Sequence, residues 1–405
     1  MHDLDQISLY IHIPFCETKC PYCDFNTYSH IEPLMDSYIN ALIKEIDMWG
    51  NILEKLTIKT IFFGGGTPSY LPEKYISAVM KQVNESFEVD SQSEITLESN
   101  PGDFTETKLA NYLENGINRL SIGVQSFDNN LLKILGRRHT AEDALKSYNM
   151  AQNVGFDNIS IDLMYGLPTQ SLNQWISTIK QSTEILPPHI SMYCLTIETG
   201  TPFETWVRVG KIPEPDPDLA ADMYETADSM MKKNGYRHYE ISNWALNGRE
   251  SIHNLAYWYT QPYLGVGPGA HSYLGGYRFS NLKKPREYIS KTNELKNNVT
   301  DYNYRNLQNL LQNIPIVETS ELIDKSTAMT ETLMMGLRID KGISISEFSS
   351  KFKQTPFEAY RSILEPLIEF GLLEIANENL RLTPKGRILS NEVFSRLFVD
   401  IKPTE

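Results

Sequence analysis

The sequence lacks the features of a membrane-spanning, secreted or nucleic-acid-binding protein. No apolar run approaches the roughly 18 residues that a transmembrane helix needs, and the acidic first residues lead straight into an apolar stretch, unlike a signal peptide. Only four cysteines are present, too few and too clustered for a disulfide framework. The excess of 51 acidic over 37 basic residues disfavours nucleic acid as a partner. We therefore expect a cytoplasmic protein that binds no nucleic acid.

Three of the four cysteines lie together in the run Cys16-Glu-Thr-Lys-Cys20-Pro-Tyr-Cys23. Thiolates favour zinc, Cu(I) or iron–sulfur clusters, and a tetrahedral site closed by protein needs four ligands, so three thiolates leave one position open. A [4Fe–4S] cluster held in this way keeps one iron free for a further ligand. A zinc site completed by His12 or His30, or three thiols without metal, are the alternatives. Cys194 stands apart, and we expect it to pack as a small buried hydrophobe.

Short β-branched runs alternate with longer amphipathic stretches over the first half of the chain. This alternation predicts a parallel sheet with helical crossovers, and six such units fall two short of a closed eight-stranded barrel. We therefore predict the α/β class, with an open, partial (β/α)6 barrel. The predicted strands are residues 7–13, 57–63, 94–98, 119–124, 159–163 and 189–197.

The chain divides into three predicted parts. The barrel occupies residues 1–215 and ends in a Pro-rich stretch. Residues 216–315 form a middle segment, in which the run Gly265-Val-Gly-Pro-Gly269 indicates a close approach of the backbone to a ligand. Its polar second half, residues 283–315, is expected to connect rather than to build a core. Helices followed by a hairpin predict a helical, winged-helix-like domain over residues 316–405, without the basic surface that DNA binding needs.

Polar residues follow the predicted strands at the edge of the barrel where active sites lie. The second strand runs into Gly64-Gly-Gly-Thr-Pro68, where the missing side chains would let a ligand approach the backbone. The next three strands end in Glu98, Gln125 and Asp162, and Arg137 follows in a loop. Carboxylates accept hydrogen bonds from ribose hydroxyls, and arginine can bind a carboxylate through two parallel bonds. Taken singly, each residue could instead be a helix cap or a turn residue.

The cysteine spacing after an apolar strand resembles the signature of the radical S-adenosylmethionine (SAM) superfamily. Further motifs, among them Phe63-Gly-Gly-Gly-Thr-Pro68 and Glu98-Ser-Asn-Pro101, resemble the oxygen-independent coproporphyrinogen III oxidase (HemN) family over nearly the whole chain. The resemblance implies a [4Fe–4S] cluster on Cys16, Cys20 and Cys23, whose open iron chelates SAM. The SAM contacts that it implies are Tyr10, Tyr22, Gly65, Gly66, Thr67, Glu98, Gln125, Arg137 and Asp162.

Two departures separate the chain from the oxidases of that family. They carry a further cysteine two residues after the third ligand, where this chain has Phe25, and a long extension before the motif, where this chain has only fifteen residues. Both features resemble the sister group of heme chaperones, HemW. His253-Asn-Leu-Ala-Tyr257-Trp258 resembles the heme-binding motif of that group, which implies an axial imidazole from His253 and aromatic faces from Tyr257 and Trp258. Without the resemblance, a histidine beside aromatics would be read as a packed core residue.

The resemblance thus implies a heme chaperone that binds heme, a [4Fe–4S] cluster and SAM, and delivers heme to a hemoprotein. The sequence does not identify the recipient, for which a membrane cytochrome is one candidate, and it leaves a dimer open. The alternative is an enzyme that decarboxylates coproporphyrinogen III through a radical formed from SAM. A third is a radical SAM enzyme for another substrate, with His253 in the core. Heme binding without decarboxylated product would separate the first from the others.

Overall fold

The protein folds into two compact units, each assembled from two separate stretches of the chain. The computed structural model describes residues 6–54, 56–295 and 307–398. The first unit comprises the described residues of 1–223 and 262–322, and the second comprises those of 224–261 and 323–405. The segment 216–315 is therefore shared between the two units.

The first unit contains the parallel sheet that the sequence predicts. Six strands pair in parallel in chain order, and over the described residues the sheet does not close. The strands are β1 (Gln6–Ile13), β2 (Thr57–Gly65), β3 (Glu88–Ser99), β4 (Arg119–Gln125), β5 (Ile159–Tyr165) and β6 (His189–Cys194). The helices are α1 (Met35–Ile52), α2 (Glu73–Ser86), α3 (Glu106–Glu114), α4 (Asn129–Ile134), α5 (Ala141–Val154), α6 (Leu172–Glu184) and α7 (Pro202–Arg208). The predicted partial (β/α)6 barrel is confirmed.

Local sequence signals set the ends of these elements. β4 and β5 are buried over nearly their whole length, as expected of parallel strands covered on both faces. At the start of α5, the Thr140 side chain accepts from the backbone N–H of Asp143, and the Asp143 carboxylate accepts from Thr140 in return. Ser171 and Gln174 form the same reciprocal cap at α6. Gly155 ends α5 at a φ of 119°, a left-handed conformation that favours glycine.

After α7 the chain leaves the first unit and later returns to it. α8 (Pro217–Lys233) spans the boundary, and β7 (Arg237–Glu240), β8 (Asn243–Ala245) and α9 (Ile252–Trp258) belong to the second unit. The returning strands are β9 (Tyr263–Val266), β10 (His271–Leu274), β11 (Tyr277–Asn281) and β12 (Val317–Leu322), and the helices between the last two are α10 (Pro285–Thr292) and α11 (Leu307–Asn313). β9 pairs in parallel with β1, and the others continue the sheet in antiparallel order.

The returning stretch builds core, so the expectation of a merely connecting segment at residues 283–315 is wrong where the structure describes it. Tyr288, Leu310 and Leu311 are buried. The composition misleads because the few apolar residues of the described part are themselves buried, whatever the polarity of their neighbours. Residues 296–306 of the segment lie outside the described residues.

A carboxyl group lies fully buried between α1 and this returning stretch. Glu45 has no exposed surface. It accepts hydrogen bonds from the backbone N–H of Gly267 at 2.8 Å, from the side-chain amide of Asn281 at 2.7 Å and from the hydroxyl of Tyr288. Burial raises the pKa of Glu45 to about 7, although these donors act in the opposite direction. Glu45 therefore joins parts of the chain that lie more than 200 residues apart.

The second unit joins β7, β8 and α9 to the C-terminal part of the chain. Its further elements are α12 (Lys325–Gly336), β13 (Ile343–Ser344), α13 (Ile345–Phe352), α14 (Pro356–Glu369), β14 (Leu373–Ala376), β15 (Asn379–Leu382), α15 (Pro384–Ile388) and α16 (Ser390–Phe398). The three short strands form an antiparallel sheet, with Asn377 and Glu378 at positive φ in the hairpin turn. The predicted helical, winged-helix-like domain is confirmed. No helix in the described stretches is long and apolar enough to cross a membrane.

The raised pKa of Glu45 predicts a dependence of stability on pH. Because the folded chain holds the proton more tightly, the contribution of Glu45 should be complete below about pH 4.5 and should fall as the pH rises toward 7. Glu45→Gln cannot ionise. We therefore expect the thermal midpoint of Glu45→Gln to lie further below that of wild type at pH 5 than at pH 7.5. Between these two pH values, the deficit of the variant in the free energy of unfolding should shrink by at most about 3 kcal/mol.

Asp47→Asn, which changes an exposed acid on the same helix, is the matched control. Its difference from wild type should not change over this pH range. A deficit of Glu45→Gln that is the same at both pH values would contradict the buried, protonated carboxyl.

Candidate functional site

The three clustered cysteines lie on a loop that follows β1 and is closed by backbone hydrogen bonds. The N–H of Cys16 donates to the carbonyl of Tyr28 at 3.0 Å, and the N–H of Tyr28 donates to the carbonyl of Pro14 at 2.8 Å. All three cysteines are free thiols, with Cys16 buried and Cys20 and Cys23 half-buried. The loop thus presents its thiols from a fixed base at the end of a central strand.

An exposed lysine bonds across the cysteine loop. The ammonium of Lys19 donates to the carbonyls of Phe25 and Thr27 at 2.9 and 3.2 Å. The Phe25 side chain itself is 63% exposed. A large apolar side chain therefore stands in solvent two residues after the third cysteine.

Two side chains from elsewhere in the barrel donate to the cysteine sulfurs. The hydroxyl of Thr67 lies 3.5 Å from Cys16 Sγ, and Nη1 of Arg137 lies 3.6 Å from Cys20 Sγ. Burial raises the pKa of the Cys16 thiol, so a thiolate there needs donors or a metal to stabilise its charge. Donors to the sulfurs are the usual surroundings of an iron–sulfur cluster.

The described residues contain no group of three His, Cys, Asp or Glu side chains arranged around a single metal ion. A [4Fe–4S] cluster binds each cysteine through a different iron and requires no such convergence. His12, considered above as a zinc ligand, has both ring nitrogens engaged: Nε2 donates to the carbonyl of Asn26 at 2.9 Å, and Nδ1 accepts from the Tyr10 hydroxyl at 3.0 Å. Burial lowers the pKa of His12 to about 4, so the ring is neutral.

The Gly-rich loop after β2 packs against the chain itself. Gly65 has a φ of +104°, and a Cβ there would lie 2.5 Å from the His12 ring. A Cβ on Gly66 would lie 2.6 Å from the carbonyl oxygen of Phe15. The absence of side chains therefore serves packing within the protein, and the predicted approach of SAM to this loop stays a prediction. Gly65→Val would strain the fold, because a side chain there would clash with His12.

Two of the predicted carboxylates lie inside the barrel. Glu98 is the penultimate residue of β3, and its Oε2 accepts from the N–H of Gly65 at 3.2 Å. Burial raises the pKa of Glu98 to about 8, with a further contribution from the charge of Asp162. Asp162 does not end its strand as expected but is the fourth residue of β5, because that strand continues to Tyr165. Its carboxylate accepts from the Ser121 hydroxyl at 2.9 and 3.0 Å.

Arg137 connects the cysteine loop to residues in or after β2, β3 and β4. Its Nη2 donates to the Asn100 side-chain carbonyl and, at 2.8 Å, to the backbone carbonyl of Gly123. The Asn100 amide donates to the Thr67 hydroxyl at 3.2 Å. One chain of hydrogen bonds therefore runs from the Cys20 sulfur to the hydroxyl beside Cys16. The sequence analysis missed Asn100, although its place in Glu98-Ser-Asn-Pro101 at the end of β3 was a usable signal.

The other predicted SAM contacts are the last residue of β4 and two tyrosines of the first unit. Gln125 is the last residue of β4 and has a φ of 66°, a strained conformation for a residue with a side chain. The Tyr10 ring stacks on Phe62 with centroids 6.3 Å apart. The Tyr22 ring meets Phe203 edge-on at 6.0 Å. Both tyrosines thus have fixed positions in the first unit.

The second Gly-rich run packs closely against the cysteine loop. A Cβ on Gly267, which has a φ of +98°, would lie 2.7 Å from the His12 carbonyl, and one on Gly269 would lie 2.6 Å from the Asn26 amide. That amide donates to the carbonyls of Pro268 and Lys283, both at 2.9 Å. The predicted close approach of the backbone is therefore present, and it is made to the cysteine loop.

The fourth cysteine is not buried as expected. Cys194 is the last residue of β6 and is exposed. The predicted strand, residues 189–197, would have placed it in the packed middle of a strand. Because β6 ends at Cys194, this side chain lies at the exposed end of the strand and not in its buried part.

The histidine motif forms α9 in the second unit. His253 is 1% exposed, and its Nε2 lies 2.9 Å from the Tyr257 hydroxyl one helical turn later. The two rings are perpendicular, with centroids 5.0 Å apart. Trp258 is half-buried, and the guanidinium of Arg338 lies 4.6 Å from the centre of its ring. The three predicted heme residues thus lie together, with the histidine nitrogen engaged by the tyrosine.

Known proteins share both parts of this architecture. Residues 10–181 match the radical SAM superfamily, and residues 323–389 match the HemN C-terminal domain. The protein "Heme chaperone HemW" of Bacillus subtilis is 38% identical over 96% of this chain and 98% of its own length. The chain belongs to the HemW family of the radical SAM superfamily. HemW of Lactococcus lactis is 35% identical, with 97% of each chain covered.

A mitochondrial relative from Bos taurus, radical S-adenosyl methionine domain-containing protein 1, is 35% identical over 94% of this chain and 84% of its own length. The solved structure of coproporphyrinogen III oxidase (HemN) from Escherichia coli superposes with a TM-score of 0.81. It covers 98% of this chain and 90% of that protein at 23% identity. At this identity the likeness shows a shared fold and nothing about the reaction.

Three variants test the cluster ligands. Replacing Cys16, Cys20 or Cys23 by Ala should each remove the bound iron and sulfide measured after anaerobic reconstitution, because two thiolates do not retain a cluster that needs three. Cys194→Ala is the control, since this exposed thiol lies on another strand, and it should keep the wild-type content. Loss of iron and sulfide in Cys194→Ala would overturn the assignment of three ligands.

A fourth variant tests the barrel interior. Asp162→Ala should weaken SAM binding about tenfold in calorimetry, because it removes an acceptor buried beside Glu98. Ser160→Ala, which removes one 3.3 Å donor to Asp162 but leaves the carboxylate, is the control. Equal SAM affinity of Asp162→Ala and wild type would place the pocket elsewhere.

Proposed function

We propose that the protein is a heme chaperone, which binds heme and passes it to a hemoprotein. The observation that carries this proposal is the 38% identity to a heme chaperone HemW over 96% of this chain. Phe25 supports it, because a bulky side chain stands where the oxidases that the chain resembles have a further cysteine. The cytoplasm is the expected location, since a reducing compartment suits free thiols.

We propose that Cys16, Cys20 and Cys23 hold a [4Fe–4S] cluster. Such a cluster would supply one-electron chemistry and an open iron for the amino and carboxylate groups of SAM. The donors from Thr67 and Arg137 fit this role, because hydrogen bonds to sulfur disperse the negative charge of a thiolate. They already face the sulfurs, so the loop needs little reorganisation to receive the cluster.

The barrel interior suits the polar groups of SAM. Because the pKa of Glu98 is about 8, its carboxyl keeps a proton near neutral pH and can donate one hydrogen bond to a hydroxyl while accepting others. Asp162 lies beside it with the Ser121 hydroxyl as a partner. A ribose, which offers both donors and acceptors, is the matching part of the ligand.

Heme binding at His253 requires a local rearrangement. The imidazole is buried and its Nε2 is engaged by the Tyr257 hydroxyl. Breaking a hydrogen bond of this kind costs about 1 kcal/mol, and a bond from the imidazole to heme iron can offset that cost. We infer that the His253 imidazole stays buried until heme binds.

The recipient would be a hemoprotein, and a membrane cytochrome is one candidate. A dimer would double the number of heme sites in one particle. Size measurement of the reconstituted protein with and without heme would decide whether a dimer forms.

The second candidate is coproporphyrinogen III oxidation, the alternative that the sequence motifs shared with the HemN family imply. The two candidates differ in their product. Anaerobic protein incubated with coproporphyrinogen III, SAM and a reductant should form no protoporphyrinogen IX. Product at enzymatic rates would replace the chaperone proposal by the oxidase.

Two substitutions in α9 test the heme ligand. His253→Ala should weaken heme binding and alter the Soret band, while cluster content and SAM affinity stay near wild type, because the iron loses an axial ligand and apolar contacts remain. Tyr257→Phe should bind heme at least as tightly as wild type, because it keeps the ring and frees Nε2.

His271→Ala, which removes an exposed histidine of the first unit, is the control and should leave the titration unchanged. Wild-type heme affinity and Soret band in His253→Ala would contradict the proposed ligand. A large loss of heme binding in Tyr257→Phe would instead make the Tyr257 hydroxyl part of the site.

A further inference from the structure

Beside the histidine motif, the second unit holds an arginine that forms no ion pair with any carboxylate of the described residues. The guanidinium of Arg338 lies 4.6 Å from the centre of the Trp258 ring and 5.6 Å from that of Phe394. Its Nε is buried and has no hydrogen-bond partner among the described residues. Burial lowers the pKa of Arg338, and the charge of Glu240 opposes this effect only in part. A partly buried cation of this kind is costly unless an anion compensates it.

Glu240, the acid whose charge acts on Arg338, forms its hydrogen bonds with other groups. The carboxylate of Glu240 accepts from the N–H of Ser242 at 3.2 Å and from the side-chain amide of Asn243. Within the described residues it forms no ion pair with Arg338. The guanidinium therefore lies against aromatic rings, and its Nε has no acceptor among the described residues.

A second cation reaches the same end of α9. Nζ of Lys351 donates to the hydroxyl of Thr260 at 3.2 Å and to that of Thr332 at 3.4 Å. Both partners are neutral, and burial lowers the pKa of Lys351. Thr260 follows Trp258 by two residues. The segment 258–260 is therefore flanked by two cations that lack a carboxylate partner among the described residues.

Heme carries two propionate carboxylates in addition to its iron. A chain with a net charge of −14 repels such a dianion unless local cations attract it. Arginine and lysine are the side chains that bind carboxylates best, the first through a planar fork and the second as a point charge. We propose that Arg338 and Lys351 bind the propionates of the heme whose iron is held by His253, an inference that rests on the proposed heme function.

The test compares heme with its dimethyl ester, which has the same ring and iron but no carboxylates. Wild type should bind heme more tightly than the ester. Arg338→Gln and Lys351→Gln should each weaken heme binding about tenfold and leave binding of the ester near wild type. Arg361→Gln, which removes an exposed cation paired with Glu365 on α14, is the matched control and should keep the preference for heme.

The preference for heme over the ester distinguishes propionate binding from a purely structural role, because a distorted site would weaken both ligands alike. Equal affinity of wild type for heme and ester, or an unchanged preference in both variants, would overturn the inference while leaving the chaperone proposal intact. Failure of wild type to bind either ligand would overturn both. If Arg338→Gln does not fold, Lys351→Gln decides alone, since its side chain lies near the surface.

Discussion

The neutral imidazole of His12 is the contact on which the arrangement around the cysteines depends. It stands at the end of β1 and reaches across to the carbonyl of Asn26 on the far side of the loop. A side chain at position 65 would clash with the His12 ring, and one at position 267 would clash with the His12 backbone carbonyl. The low pKa that burial imposes keeps the ring uncharged, so no counter-ion is needed beside the sulfurs. One histidine thereby determines the backbone at two glycine-containing loops.

Much of the fold follows from the sequence, because strand alternation and helix caps are local signals. The cysteine spacing and the residues at the ends of β3 and β4 are likewise readable, since position along a strand translates into position around the barrel. The partners of Asn26 and Glu45 are not readable, because they lie more than 200 residues away and no periodicity points to them. The glycines are readable in part: a missing side chain indicates a close neighbour but not which part of the chain supplies that neighbour.

A shared fold does not separate a chaperone from an oxidase. The Escherichia coli oxidase structure superposes over almost the whole chain at only 23% identity. Among the many positions that differ, Phe25 stands in the cysteine loop itself. Individual side chains such as this one decide the function, and the barrel supports either chemistry.

The second unit is built from residues 224–261 and from the stretch after residue 322, with part of the first unit between them. During synthesis the helix with His253 is complete well before α12 to α16 exist, so its hydrophobic side has no permanent neighbour for some time. The β9 strand meanwhile has to find β1 more than 250 residues back. Neither unit can complete its core before synthesis of the other has begun. Cleavage of the chain near residue 316 would leave both fragments incomplete. Pairing of β9 with β1 therefore waits until most of the chain has been made, and long-range pairings of this kind form slowly.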